Sequence, residues 1–254
     1  MQPLWFTEAM AARVGHEGHA HDDANGDGPG TLGSRLNRLR AGVLGANDGI
    51  VSVAGLVIGV AGATDDRRAI LVSGVAGLVA GAFSMAGGEY ASVSTQRDTE
   101  AALVAAERRA LDENPQKAVE ALAATLKSHG LSEETARRAA REISEEDSLR
   151  AHADIEFGID PDELTSPWQA ALSSFASFTC GALLPLVAIA ALPPGVRLFG
   201  CALAVVAALA LTGYASAGLG GAPRLPAMLR VTGVGATTMI VAYSVGSLFG
   251  VATG

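Results

Sequence analysis

Five long apolar runs divide this chain, and they constrain its fold more than any other feature of the sequence. A helix needs roughly 20 consecutive, mainly apolar residues to cross a bilayer. The runs that reach or approach this length cover residues 41–63, 69–94, 168–192, 196–219 and 228–251. No useful stretch alternates apolar and polar residues as a half-buried strand would. The sequence therefore predicts an all-α, polytopic membrane protein with five transmembrane helices.

The polar segments between these runs define the domain organisation. Most of the acids behind the net charge of −8 lie in the middle of the chain. We therefore predict a flexible tail with His and Asp over residues 1–34, two spans over 35–95, a helical insert over 96–165 and three spans over 166–254. Within the insert, Asn114-Pro115, Gly130 and the capping residue Ser132 favour helices over 97–112, 116–129 and from 132 onward, followed by one over 144–157.

Basic residues indicate the orientation of the spans. Arg35, Arg38 and Arg40 precede the first span and the insert is rich in Lys and Arg, whereas few basic residues flank the opposite ends. We expect the N-terminus and the insert in the cytosol and the C-terminus outside. Because the sequence has no visible organelle signal and is rich in Ala, Gly and Arg, we also expect a bacterial inner membrane.

Small residues line two of the predicted spans. Gly55 and Gly59 lie four apart in the first span, and Gly74, Gly77 and Gly81 follow a similar spacing in the second. Such faces let helix backbones approach closely in a bilayer. Close helix packing is the simplest interpretation, and a dimer interface is compatible with it.

Asp48 is an acidic residue inside the first span. A carboxylate at this depth costs several kcal/mol, on the order of the insertion penalties of charged residues, unless it is paired or hydrated. One interpretation is a structural ion pair with another helix. No Lys or Arg lies well inside any span, so we favour a place in an ion pathway.

Met85 and Glu89 lie four apart in the second span and therefore share one helix face. With antiparallel first and second spans, Asp48 and Glu89 are expected at a similar depth near the inner side. A thioether beside carboxylates is unusual for Ca2+ or Mg2+ but suits a softer divalent ion such as iron. Packing is the commoner role of a Met alone. Its position one turn from Glu89 makes us predict a pathway of Asp48, Met85 and Glu89.

Candidate metal ligands also occur in the insert. His152 and Glu156 are separated by one helical turn and could capture one ion together. For any single acid a solvated helix face is the simpler interpretation. The predicted set is Glu100, Glu107, Glu120, Glu142, Glu145, Glu146, His152 and Glu156.

The N-terminal tail contains a third group of metal-binding side chains. His16, His19 and His21 alternate with acids in a Gly-rich tract. Such tracts bind metals weakly, and a disordered tail without metal is an equal alternative.

These motifs resemble the vacuolar iron transporter family, and the likeness extends over nearly the whole chain after Ser34. The first two motifs are the specific ones. The matching segments are residues 38–60 with the Gly-Ala-Asn-Asp-Gly-Ile-Val-Ser core, Ser84-Met85 with Gly88-Glu89-Tyr90, residues 155–158, Pro167 with residues 169–171, Gly181-Ala182, Leu184-Pro185 and Thr212-Gly213.

The resemblance implies a five-span homodimer that exchanges ferrous iron, and often manganese, for protons and moves metal out of the cytosol. It implies that Asp48 and Met85 line the path at the dimer interface and that the insert is a cytosolic metal-binding domain. This sequence departs from the iron-transporting members in that domain: His152 and Ala153 stand roughly where those members carry a methionine pair, and its first helix offers fewer acids, with Glu107 the clearest match.

We therefore predict a proton-coupled antiporter that exports Fe2+, with Mn2+ or Zn2+ as further cargos. It would act as a homodimer in membrane lipid, with no nucleic-acid partner. The alternative is a membrane-anchored protein that buffers or senses iron without transport, but an anchor has no use for acids within its spans. An enzyme is disfavoured because the sequence has no plausible Ser-His-Asp set and no HExxH motif.

Overall fold

The computed structural model describes residues 32–145 and 147–253. These residues form eight α-helices and no strand, which confirms the predicted all-α fold. The helices are α1 (Leu32–Ala63), α2 (Arg67–Glu113), α3 (Pro115–Ser128), α4 (Glu133–Ser144), α5 (Ser148–Phe157), α6 (Pro167–Ala191), α7 (Pro194–Leu219) and α8 (Arg224–Thr253).

Five of these helices, α1, α2, α6, α7 and α8, contain stretches long and apolar enough to cross a membrane. They correspond to the five predicted spans. Their outward surfaces carry large apolar side chains, among them Phe83, Phe199 and Leu248. Lipid would cover such surfaces.

Helix α2 is one continuous helix of 47 residues. At a rise of 1.5 Å per residue it is roughly 70 Å long, more than twice the hydrocarbon thickness of a bilayer. Neither Gly nor Pro occurs between Gly88 and Asn114, so nothing interrupts the helix at the predicted domain boundary between residues 95 and 96. The second span and the first helix of the insert are therefore a single rod.

The insert helices begin and end at residues that cap them. Asn114 ends α2, and its side chain accepts a hydrogen bond from the Lys117 amide at the start of α3. Ser132 caps α4, as predicted. The predicted helix over residues 144–157 is wrong at its start, because α4 continues to Ser144 and α5 begins only after its own cap, Asp147. Gly158, at φ 67°, ends α5.

Helix α1 packs between α6 and α8 through its glycines. Gly49 faces the backbone of Phe178 on α6, and Gly59 faces Ala242 on α8. On α2, a Cβ at Gly74 would overlap the side chains of Val57 and Leu186. These contacts confirm the close packing predicted from the small residues.

Arg197 closes the bundle at the end away from the insert. This side chain is only 3% exposed and donates a hydrogen bond of 2.8 Å to the carbonyl oxygen of Asp65 in the α1–α2 connection. Arg67 donates to the carbonyl oxygen of Ala190 at the end of α6. The two arginines therefore tie α7, α6 and the α1–α2 connection together.

Candidate metal pathway and insert cluster

Asp48 lies on the one face of α1 that the described chain leaves uncovered. Leu44, Asp48, Ser52 and Leu56 follow one another at four-residue spacing, and all four are exposed. The Ser52 hydroxyl donates a hydrogen bond of 3.2 Å to Asp48 Oδ1. Asp48 forms no ion pair with any described residue, so the structural-pair interpretation gains no support. Its position six residues inside the span, on an uncovered face, is one that a membrane protein must cover or hydrate.

Phe178 of α6 relates the depth of Asp48 to positions on α2. Gly49 of α1 and Gly81 of α2 both face Phe178, so they lie at about the same level of the bundle. Met85 is then about one turn nearer the insert than Asp48, and Glu89 about two turns nearer. This differs from the similar depth expected for Asp48 and Glu89. The three side chains thus follow one another from the insert side inward.

Met85 and Glu89 are both half-buried on α2. Met85 packs against the transmembrane core, so it does fulfil the packing role that was the simpler interpretation. A half-buried thioether keeps part of its surface open. The packing therefore does not remove Met85 from the proposed path.

In the insert, three of the predicted ligands meet where α5 packs against α2. His152 is 0% exposed. Its Nδ1 lies 2.9 Å from Glu107 Oε1 on α2 and 3.9 Å from Glu156 Oε1 on α5. We call Glu107, His152 and Glu156 the insert cluster. The pairing of His152 with Glu156 was predicted from their spacing in the sequence. The approach of Glu107 to this pair depends on the fold.

The hydrogen bonds of Ser144 determine where a proton resides in the insert cluster. The Ser144 hydroxyl lies 2.6 Å from the carbonyl oxygen of Ala140 and 3.0 Å from His152 Nε2. A hydroxyl has one hydrogen, which goes to the shorter contact, so Nε2 must donate to Ser144 Oγ. His152 Nδ1 then faces the carboxylate oxygens of Glu107 and Glu156.

Glu156 is the member of the insert cluster with a buried, unpartnered oxygen. Its Oε1 is buried and has no hydrogen-bond partner among the described residues. Burial first, and the nearby charge of Glu107 second, raise the pKa of Glu156 from 4.5 to about 7. A carboxyl of this kind takes up a proton near neutral pH.

The other predicted insert ligands do not join this cluster. Both carboxylate oxygens of Glu100 are engaged, one by Gln96 and the other by the amide and hydroxyl of Thr165. Glu120, Glu142 and Glu145 are exposed and line surface cavities that they share with arginines of α4. Glu146 and the tail residues His16, His19 and His21 lie outside the described residues.

No three His, Cys, Asp or Glu side chains in the described ranges are arranged as a ready metal site. Sequence reasoning did not identify Ser144 as the partner of His152, because the two belong to different helices. It also missed Ser52, although its spacing of four residues from Asp48 was a usable signal.

The raised pKa of Glu156 predicts that the insert loses stability as pH rises. The folded state keeps this proton up to about pH 7, whereas an unfolded chain releases it near 4.5, so stability falls with increasing pH across that interval. After allowance for screening we expect about 1 kcal/mol less protection of the α5 amides at pH 8 than at pH 5. Hydrogen exchange of the full chain in detergent measures this difference.

Glu156→Gln should remove most of this pH dependence and raise the protection of α5 at pH 8. The matched control is Glu163→Gln, which changes an exposed acid near the same helix. If the protection of the α5 amides depended equally on pH in the parent and in Glu156→Gln, the pKa of Glu156 would not be raised in the way that its burial predicts.

Comparison with known proteins places these sites in context. The sequence model of the VIT family matches residues 39–247, a range that includes Asp48, Met85, Glu89 and the insert cluster. A protein of Acanthamoeba castellanii named "Vacuolar iron transporter" is 39% identical over 219 residues, which cover 86% of this chain and 80% of that protein.

Two plant relatives are also similar over most of the chain. "Vacuolar iron transporter homolog 1" of Oryza sativa subsp. japonica is 39% identical over 227 residues, which cover 89% of this chain and 80% of that protein. "Vacuolar iron transporter homolog 2" of Arabidopsis thaliana is 34% identical over 217 residues, which cover 85% of this chain and 86% of that protein. These relatives are eukaryotic and named as vacuolar, so they do not support the predicted bacterial inner membrane.

Proposed function

The chain belongs to the VIT family, as its motifs predicted, and from this membership we propose that it exports Fe2+ from the cytosol in exchange for protons. The names of its relatives, vacuolar iron transporters, support iron as the cargo. The observation that carries the proposal is Asp48, an acid inside a span, on an uncovered helix face, without a basic partner among the described residues. A membrane anchor gains nothing from such a residue.

The order of side chains along the bundle supports a direction of passage. Glu89 lies nearest the insert, Met85 about one turn further and Asp48 about two turns further. A cation entering from the insert side would meet a carboxylate, then a thioether, then a second carboxylate. The combination of oxygen and sulfur ligands favours Fe2+ over Mg2+ or Ca2+. The insert would then face the cytosol.

A homodimer would complete this path. One protomer leaves Asp48 exposed along the stripe from Leu44 to Leu56. A second copy related by a two-fold axis would cover this stripe with its own, and two Asp48 side chains would then face one cation. Exposed carboxylate and hydroxyl groups on that stripe are poor contacts for lipid and good ones for a shared ion.

The insert cluster would hold metal best after Glu156 has lost its proton. His152 Nδ1 and the oxygens of Glu107 and Glu156 are the donors, and nitrogen with carboxylate oxygen suits Fe2+, Mn2+ and Zn2+ alike. We propose that arriving metal displaces the proton of Glu156, whose pKa is about 7, so that the insert gathers metal better at higher pH. The remaining acids of the insert raise the local cation concentration through their charge.

The test is metal uptake into vesicles that contain the purified protein. With a pH gradient imposed, we expect Fe2+ to accumulate and the gradient to dissipate in proportion to the metal moved. Mn2+ and Zn2+ are measured in parallel. Metal binding without uptake would contradict transport and favour the buffering or sensing protein.

Met85→Leu tests the proposed role of the thioether. Leucine keeps most of the volume that packs against the core but lacks sulfur. We expect the preference for Fe2+ over Mn2+ to fall, because Mn2+ gains less from a soft ligand. The control is Met239→Leu, which changes a buried methionine of the same core on α8. Equal selectivity in both variants would mean that Met85 only packs.

A further inference from the structure

A cavity of about 410 Å³ lies on another flank of α1, between α1, α7 and α8. Its lining includes Leu44 and Asn47 of α1, Thr212 and Ser216 of α7, and Val231 of α8. Helix α7 ends at Leu219 and α8 begins at Arg224, so this end of the hairpin is on the insert side. The cavity therefore occupies the insert-side half of the membrane-spanning bundle.

Polar side chains in the lining point to the occupant of this cavity. Asn47 lines it, although its Oδ1 is shielded from solvent and meets no hydrogen-bond donor in the described part of the chain. Thr212 donates its hydroxyl hydrogen to the carbonyl oxygen of Leu209, so its oxygen can still accept. The hydroxyl groups of Thr212 and Ser216 can therefore bind water there. A buried water usually has two to four such partners, and a volume of this size holds several waters, roughly 30 Å³ each.

The cavity also reaches the level of Asp48. Asn47 immediately precedes Asp48, and Leu44 lies one turn before it. Leu44 is 62% exposed on the stripe that carries Asp48, and it lines the cavity as well. The cavity therefore adjoins the uncovered face of α1. Acids within membrane spans generally face the interior of the bundle or a water-filled cavity.

We propose that this cavity is a water-filled crevice that enters the bundle from the insert side and reaches the level of Asp48. It brings water to the level of that carboxylate, on a flank of α1 that shares Leu44 with the stripe proposed as the dimer interface. A second copy on the stripe would then leave a route for water near Asp48. The crevice thus lowers the cost of placing an acid in this span.

Thiol labelling tests the proposal at two neighbouring positions of α7. In full-length protein carrying Cys180→Ala and Cys201→Ser, Thr212→Cys places a thiol in the cavity. Leu211→Cys places one at the same depth on the lipid-facing surface, where Leu211 is 70% exposed. A trimethylammonium methanethiosulfonate is added to membranes without metal. We expect Thr212→Cys to react at least about tenfold faster, since the reactive thiolate needs water around it.

A further variant distinguishes the route of the reagent. Ser216→Phe, nearer the end of α7, should slow the labelling of Thr212→Cys and leave Leu211→Cys unchanged. Protection of both cysteines would overturn the proposal, as would protection of Thr212→Cys that detergent relieves, which would indicate a lipid chain in the cavity. Equal, rapid labelling of both would also overturn it, because water would then reach the whole end of α7 and not a crevice. None of these labelling rates depends on transport, so a failed uptake assay does not affect them.

Discussion

Asp48→Asn is expected to abolish metal uptake while leaving the fold intact. Asparagine has nearly the same shape, and the hydrogen bond from Ser52 can still reach its oxygen. The change removes the negative charge that a cation inside the bundle needs most. We expect at least about a hundredfold loss of uptake, which corresponds to about 2.7 kcal/mol of lost stabilisation of the bound cation. Initial Fe2+ uptake in vesicles is the measurement.

Asp98→Asn is the matched control for this experiment. It neutralises an exposed acid of α2 outside the apolar part of the helix and should keep the uptake rate of the parent. Unchanged thermal stability of Asp48→Asn in detergent would assign the loss to the pathway rather than to folding. Parent-like uptake by Asp48→Asn would make the proposed pathway wrong.

Gly181→Ala is expected to lower the thermal stability of the protein markedly. A Cβ at this position of α6 would overlap the carbonyl group of Ala46 on α1, including its carbon at 2.8 Å. The obstacle is backbone, so no rotamer change relieves it, and α1 would have to move away from α6. Overpacking of this kind costs about 1–3 kcal/mol, and we expect the midpoint of thermal unfolding to fall by about 5 °C.

The control is Gly233→Ala on α8, where an added Cβ meets nothing within 4 Å. Alanine is also the better helix former, so this variant should be as stable as the parent or slightly more. Since Ala46 lies two residues before Asp48, Gly181→Ala should also reduce uptake. Equal unfolding midpoints for both variants would contradict the close contact between α1 and α6.

The helices themselves could be predicted closely from local signals. The apolar runs matched α1, α2, α6, α7 and α8, and Asn114 and Ser132 predicted the ends of insert helices because caps act within one turn. The start of α5 was missed because Asp147, its cap, stands among several acids. The continuity of α2 was missed because a change from apolar to polar composition suggests a boundary that the backbone does not have.

The candidate sites were predictable only in part. His152 and Glu156 could be paired from their spacing, since one helical turn places them on one face. Glu107 precedes His152 by 45 residues, and only the packing of α5 on α2 brings them within 2.9 Å. Glu100 illustrates the converse: it was a plausible ligand until folding brought Thr165 to its carboxylate.

The sequence alone determined the membrane character, the number of spans and the identity of Asp48, Met85 and Glu89 as polar or soft side chains in apolar helices. These properties follow from composition and local spacing, because each span satisfies its own backbone hydrogen bonds. Only the tertiary structure decided which face of α1 remains uncovered, how deep Asp48 lies relative to Met85 and Glu89, and where a cavity adjoins it. Those features depend on contacts between helices distant in the chain, such as that of Gly49 and Gly81 with Phe178.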